Sequence, residues 1–442
     1  MVLRKGHSRL SIATARSFVV QLGKVQFLRS IVVIAGGSVI AQAIPVALTP
    51  VLTRLYSPSD MGMLALYLAF IGFASSGTTL GYSTAIVSAR SDEEASDLTV
   101  VSTLAIVPCT LIATLVLWAM ISRSWLGYGD LPKVTAIAMG VSLLLTGLFF
   151  TLRFWSLREG HYRIISRATI AQSIGRIVAQ VLLGLAHLNW VGLISGEILG
   201  RGLGLNQMWK STWSNVSALS LPLNRPRLRR TALEYWKFPL LSTPSAMLNN
   251  LALALPVPLI SKYFGLQAAG QYAIATRVLL LPLVLVGSSV GDVFHNRIAT
   301  LSREDPKKAF RFFLGVSAGL FAVGILPMVI VSLFGETLWT AVLGDQWRTA
   351  GKIAAALTPW ALMQLVVSPV SRVVFIYQGQ GIKFIYDVLG LISIVGGFWF
   401  GFNQGWSLVN TCALLGWSQA CVYGVYFLLL VRTVRTGDGG LK

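Results

Sequence analysis

Twelve stretches of about 20 apolar residues recur along this 442-residue chain, each near the length a helix needs to cross the hydrocarbon core of a bilayer. They fall at 31–53, 63–89, 98–121, 134–152, 164–188, 190–209, 238–261, 271–294, 312–335, 353–377, 384–402 and 406–431. Inside lipid every backbone N–H and C=O must be bonded within the protein, so continuous apolar runs of this length read as helices. With 55% hydrophobic and 12% charged residues, a water-soluble domain is excluded. The expected fold is an all-α polytopic membrane protein of about 12 transmembrane helices.

A formal charge of +20 would suggest a nucleic-acid partner in a soluble chain, but here the cations sort by membrane side. If the N-terminus lies inside, 27 of the Lys and Arg residues fall on the inner side and six on the outer: Arg54, Arg123, Lys133, Lys262, Arg348 and Lys352. That asymmetry places both termini in the cytoplasm, with membrane lipids rather than nucleic acid as the surroundings. Three cysteines and four scattered histidines offer no disulfide or zinc spacing, and no cofactor is expected. No outer connection exceeds about 18 residues, so any activity must reside within the spans.

The chain divides into a basic cytoplasmic tail (1–30), an N-terminal six-helix half (31–209), a basic cytoplasmic linker (210–237), a C-terminal six-helix half (238–432) and a short tail (433–442). The linker carries Pro222, Pro226, Arg225, Arg227, Arg229 and Arg230. Leu52-Thr-Arg-Leu-Tyr-Ser-Pro-Ser-Asp-Met-Gly62 aligns with Ile260-Ser-Lys-Tyr-Phe-Gly-Leu-Gln-Ala-Ala-Gly270 at an offset of 208 residues, matching Arg54 to Lys262 and Gly62 to Gly270. Six crossings per copy is an even number, so the two bundles are parallel repeats related by a pseudo-two-fold axis along the membrane normal. A substrate path in such an architecture runs between the halves.

Buried polar residues mark where that path would lie. An arginine at mid-membrane costs about 2.5–3.5 kcal/mol even on insertion scales, so Arg176, Arg277 and Arg372 cannot simply face lipid. Arg176 and Arg277 read as lining a water-filled cavity, against the alternative of a structural pair with Glu197 or a neighbouring helix. For Arg372, near the inner end of its span, snorkelling to headgroups stands beside a binding role. Glu197 and Asp387 are the intramembrane acids considered for ion coupling, although Asp387 follows Lys383 at the spacing of a local helix-surface pair. Gln42 and the adjacent Asn249 and Asn250 add neutral groups suited to a polar cargo, with interhelical hydrogen bonding as the alternative. The Gly-x-x-x-Gly spacings at 77–81, 196–200 and 315–319 permit close helix approach but are common in a chain with 42 glycines.

The segment Leu52–Gly62, Phe238-Pro239 opening the seventh span and Gly270-Gln-Tyr-Ala-Ile-Ala-Thr-Arg277 opening the eighth resemble polysaccharide repeat-unit flippases. These are the Wzx-type transporters of the multidrug/oligosaccharidyl-lipid/polysaccharide exporter superfamily, and the similarity runs from about residue 31 onward. The basic stretch before residue 30 is longer than the family's usual start. The resemblance implies a bacterial inner-membrane protein that moves an undecaprenyl-diphosphate-linked oligosaccharide from the cytoplasmic to the periplasmic leaflet, alongside polysaccharide polymerase and glycosyltransferases. It implies that Arg176 and Arg277 hold the diphosphate, with coupling to H+, Na+ or the membrane potential left open. The competing reading is an ion-coupled drug or metabolite antiporter of the same architecture, which would favour acids over arginines in its cavity. A membrane glycosyltransferase or polymerase is a further alternative, for which Asp60 alone is a poor catalyst; a scaffold recruiting glycosyltransferases is compatible with transport.

Overall fold

The computed structural model describes residues 36–220, 224–377 and 379–436. The basic tail 1–30, the first five residues of the predicted first span and the last six residues of the chain lie outside them. The described residues are almost entirely helical, with no strand among them. In the N-terminal half the order is α1 (Gly36–Leu55), α2 (Pro58–Ser75), α3 (Asp92–Ser122), α4 (Val134–Arg158), α5 (Tyr162–Leu185) and α6 (Asn189–Gly202). Between the halves lie α7 (Leu205–Ser220) and α8 (Arg225–Glu234). The C-terminal half comprises α9 (Phe238–Ala254), α10 (Pro256–Phe264), α11 (Leu266–Glu304), α12 (Pro306–Leu343), α13 (Arg348–Ala356), α14 (Thr358–Ile376), α15 (Gly381–Asn403) and α16 (Leu408–Thr436).

Ten of these helices are long and apolar enough to span a bilayer, or eleven when α9 and α10 are taken as one span bent by 42°. The bend falls at Leu255, ahead of Pro256 and Pro258, whose missing N–H groups interrupt the helical ladder. Several predicted spans differ from their expected form, the tenth (353–377) being broken at Leu357 between α13 and α14. The sixth is the 14-residue α6, about 21 Å long, because Leu203 and Gly204, the latter at φ +78°, break the run before α7. The second starts five residues earlier than expected, at Pro58, and stops at Ser75 instead of running to residue 89. Ser57 and Asp60 form a capping box at its start, while Leu80 and Gly81 turn the chain at positive φ beyond its end. Helices α11 and α12, with 39 and 38 residues, are about 58 Å long and must project well beyond a hydrocarbon core of about 30 Å. Their junction is capped by Asp305, which accepts the backbone N–H groups of Lys308 (3.1 Å) and Lys307 (3.0 Å). Those bonds hold its carboxyl below the ordinary carboxylate range.

The stretch expected as a cytoplasmic connection is largely helical. α8 docks on the start of α3 through Arg227, whose Nη2 and Nε donate to Asp97 at 2.7 and 3.1 Å, and through Tyr235, whose hydroxyl donates to Glu94 at 3.2 Å. Arg90 reaches Glu234 at 3.0 Å. The linker therefore clamps onto the N-terminal half and enters α9 in a fixed direction.

The two halves meet where α2 crosses α11, at the positions matched by the internal repeat. A Cβ on Gly62 would lie 2.1 Å from the Leu266 carbonyl oxygen, and a Cβ on Gly270 would lie 1.9 Å from the Pro58 carbonyl oxygen. Leu266 and Pro58 are themselves repeat partners, 208 residues apart, so the contact is reciprocal, as a two-fold axis through this crossing requires. Each half also sends a loop onto the other. In one direction the Ser261 hydroxyl donates to the carbonyl of Gly127 at 3.2 Å, and only glycine fits at 127, where a Cβ would press on Lys262 and Pro258. In the other, the buried Trp347 indole N–H donates to the Thr53 carbonyl at 3.0 Å, and Gln346 donates to the same oxygen. Thr53 and Ser261 are again 208 residues apart. These contacts all lie at the end of the bundle opposite the α8–α3 contacts.

Because neither crossing glycine can gain a methyl without moving backbone, Gly62→Ala and Gly270→Ala should each destabilise the protein by roughly 1–3 kcal/mol. The thermal-unfolding midpoint of detergent-solubilised protein should fall for both, while Gly315→Ala, which enters open space, leaves it unchanged or slightly raised. Equal midpoints in all three variants would contradict the crossing.

Candidate functional site

A cavity of about 610 Å³ lies between the halves, on the linker side of the α2–α11 crossing. One wall is the apolar face of α2, with Met61, Leu64, Ala65 and Leu68. Arg176 and Gln180 enter from α5, Glu197 from α6, Asn250 and Val257 from the bent α9–α10 pair, and Arg277 from α11. The arginines from the two halves, distant in sequence, thus face one space.

Glycine packing sets the geometry of the N-terminal wall. A Cβ on Gly196 would meet the Gln180 backbone N at 2.9 Å, and one on Gly200 would meet the Arg176 Cα at 2.8 Å. Of the three glycine pairs in the sequence this one draws α5 and α6 together, whereas Gly315 and Gly319 have nothing within 4 Å. The close approach puts Glu197, 2% exposed, beside Arg176. Glu197 Oε1 accepts Arg201 Nη2 at 2.8 Å and Arg176 Nη1 at 3.4 Å. Arg201 spends a second donor on the Thr146 hydroxyl at 2.7 Å. Arg176 therefore both lines the cavity and pairs with Glu197, and the two alternatives weighed for it coexist.

Arg277 has no ion-pair partner among the described residues and lies close enough for its charge to interact with those of Arg176 and Glu197. Two guanidinium groups, Arg176 and Arg277, against the Glu197 carboxylate leave the cavity lining at a net +1, beside an apolar wall that screens charge poorly. Such a site attracts a polyanion and repels cations.

The other sequence-derived residues are distributed as follows. Asn250 lines the cavity, and its amide donates to the Ser76 hydroxyl at 2.9 Å. Its neighbour Asn249 is exposed and does not line this cavity. Gln42 is exposed and donates to the Ser38 carbonyl of its own helix at 3.2 Å. Arg372 pairs with Asp292 and, with Gln364, lines a separate pocket of about 160 Å³ inside the C-terminal half. Asp387 accepts Lys383 Nζ at 2.6 Å, the local pair that their spacing allowed.

Sequence reasoning passed over two participants. Arg201 is one, and its position four residues after Glu197 is a pairing signal. Asp292, near the end of the expected eighth span, carries no local partner spacing, and its contact with Arg372 is made across 80 residues.

The description "Polysaccharide biosynthesis protein" belongs to the family whose model matches residues 51–352. The chain is 23% identical over 389 residues to the succinoglycan biosynthesis transport protein ExoT of Rhizobium meliloti (strain 1021), covering 84% of this chain and 74% of that one. It is 22% identical over 196 residues to the teichuronic acid biosynthesis protein TuaB of Bacillus subtilis (strain 168), which spans 44% of this chain and 39% of that protein. Among solved structures, the lipid II flippase MurJ in an inward closed conformation superposes with a TM-score of 0.69 at 13% identity, over 92% of this chain and 90% of that one. An inward-facing multidrug resistance MATE family transporter of the MOP superfamily gives 0.66 at 13% identity, over 89% and 95%. The two structural likenesses establish the shared transporter fold. With two thirds of its length matched by that family's model, the chain belongs to the polysaccharide biosynthesis protein family.

Proposed function

We propose that the protein is a flippase that translocates an undecaprenyl-diphosphate-linked oligosaccharide repeat unit from the cytoplasmic to the periplasmic leaflet of a bacterial inner membrane, by alternating access, for surface polysaccharide assembly. The observation that carries this reading is the pairing of Arg176 and Arg277, one from each half, on a single cavity whose charged lining, with Glu197, is net +1. The 27-to-6 distribution of Lys and Arg supports placing the linker side, and both termini, in the cytoplasm. On that orientation the closed α2–α11 crossing faces the periplasm, and the cavity belongs to the cytoplasmic side of the cycle.

The physical task suits the site. A sugar hydroxyl moved into hydrocarbon without a partner costs about 4–8 kcal/mol, so an oligosaccharide needs a polar route. The polyprenyl tail can stay in lipid while the headgroup occupies the space between halves. Guanidinium groups offer the diphosphate planar, charge-assisted and often bidentate hydrogen bonds, which a lysine supplies only as a point charge. Names of relatives point the same way: ExoT is a succinoglycan biosynthesis transport protein and MurJ a lipid II flippase. An antiporter of cationic drugs would have to accept a cargo of the same sign as the cavity, which makes it the weaker reading.

Arg277→Ala and Arg176→Ala should each lower transport by about ten- to hundredfold, from the loss of a charge-assisted bond. Surface glycan should disappear in cells that depend on this protein while its abundance in the membrane stays at the wild-type level. Lysine at either position should restore only part of the activity. Normal glycan in both alanine variants would reject the assignment.

Coupling follows from charge as well. Two negative charges carried outward down an inside-negative potential of 100 mV release about 5 kcal/mol, so the membrane potential suffices as a driving force. Glu197 and Asp387, the acids considered for ion coupling, are both held in ion pairs. In vesicles containing a labelled lipid-linked oligosaccharide, an imposed inside-negative potential should therefore accelerate outward transfer. A rate that ignores voltage and follows a proton or sodium gradient would assign the drive to ion counter-flow.

A further inference from the structure

We infer that Glu197 is a resident counter-ion which competes with the cargo diphosphate for Arg176, so that cargo binding is an exchange of one anion for another; the inference rests on the proposed function. The two ion pairs of Glu197 are unequal. Its bond to Arg201 is short, 2.8 Å, and is made four residues along the same helix, where Arg201 is also anchored by Thr146. Its bond to Arg176 is long, 3.4 Å, and crosses from α6 to α5. Arg176 lines the cavity and Arg201 does not, so an entering phosphate meets the guanidinium that Glu197 holds more weakly.

Exchange at this point leaves no group stranded. When Arg176 turns to a phosphate, Glu197 keeps Arg201 and stays neutralised, which matters because an unpaired carboxylate in so buried a place would be costly. When the cargo leaves, Glu197 takes Arg176 back, and the empty site is not left with two bare guanidinium groups facing each other. A site of arginines alone would bind a diphosphate tightly and release it slowly. The competing carboxylate weakens binding of the resting cargo and favours discharge, the balance a carrier needs between loading and unloading. Glu197 is thus a positioning residue that sets the strength of the grip.

Removing the competitor should tighten binding and slow the cycle. Glu197→Gln is isosteric and removes the negative charge, while Glu197→Asp withdraws the carboxylate by one methylene toward its own helix and Arg201, loosening the Arg176 contact first. Isothermal titration of the detergent-solubilised protein with farnesyl diphosphate should give about tenfold tighter binding in both variants than in wild type, with Glu197→Asp keeping the wild-type thermal midpoint even where Glu197→Gln folds poorly. Reconstituted transport should show a lower half-saturating cargo concentration together with a lower maximal rate, a split that mere loosening of the fold would not produce. Wild-type binding with unchanged or weaker binding in both variants would overturn the counter-ion role and leave the flippase reading standing. Absence of diphosphate binding by the wild type itself would overturn both.

Discussion

The fixed positive charge of a guanidinium group placed deep in a bilayer is the constraint on which the rest of this structure depends. Arginine cannot shed its proton under ordinary conditions, so each one must be given a counter-ion, a route to water, or a ligand. The protein uses a different solution at each position. Arg372 takes Asp292, Arg201 takes Glu197 and Thr146, Arg176 divides itself between Glu197 and the cavity, and Arg277 is left with the cavity. The helices then have to be arranged so that a cavity exists there, which is why Gly196 and Gly200 draw α5 against α6 and why α9 bends before Pro256. An apolar wall from α2 completes the site and keeps the field of the arginines strong.

The closed end of the molecule follows from its duplicated sequence. Two copies of a short segment, related by 208 residues, meet at Gly62 and Gly270, and the next elements of each copy reach across to Thr53 and Ser261. A contact made of backbone packing and a few hydrogen bonds is tight yet carries no buried charge pair, so parting it does not strand an ion. The linker end is organised differently, with α8 clamped to α3 by Asp97 and Glu94. The far end is an interface in which each side offers the same small-residue surface, as the geometry of a two-fold crossing dictates.

Much of this was legible in the residues themselves because hydrophobic length is a local property. The apolar runs marked most of the spans, and depth along them marked Arg176 and Arg277 as belonging to protein or water rather than lipid. The repeat that matched Gly62 to Gly270 identified two positions that touch. What could not be read depends on tertiary partners. Beyond the end of α2 at Ser75, Gly77 and Gly81 pack against α9, a tertiary contact that sequence spacing does not specify. Asn249 and Asn250 are indistinguishable by composition, yet only Asn250 reaches the cavity, since neighbours on a helix point about 100° apart. Likewise the reach of Arg372 to Asp292 has no trace in sequence spacing.

The central claim is that an anionic headgroup sits between the halves, held by an arginine from each. It is tested most directly by a structure of the protein in lipid nanodiscs with its lipid-linked oligosaccharide bound. The account predicts diphosphate density within hydrogen-bond distance of both Arg176 and Arg277, with the polyprenyl chain leaving toward the bilayer. Headgroup density elsewhere, with both guanidinium groups turned into other ion pairs, would contradict it.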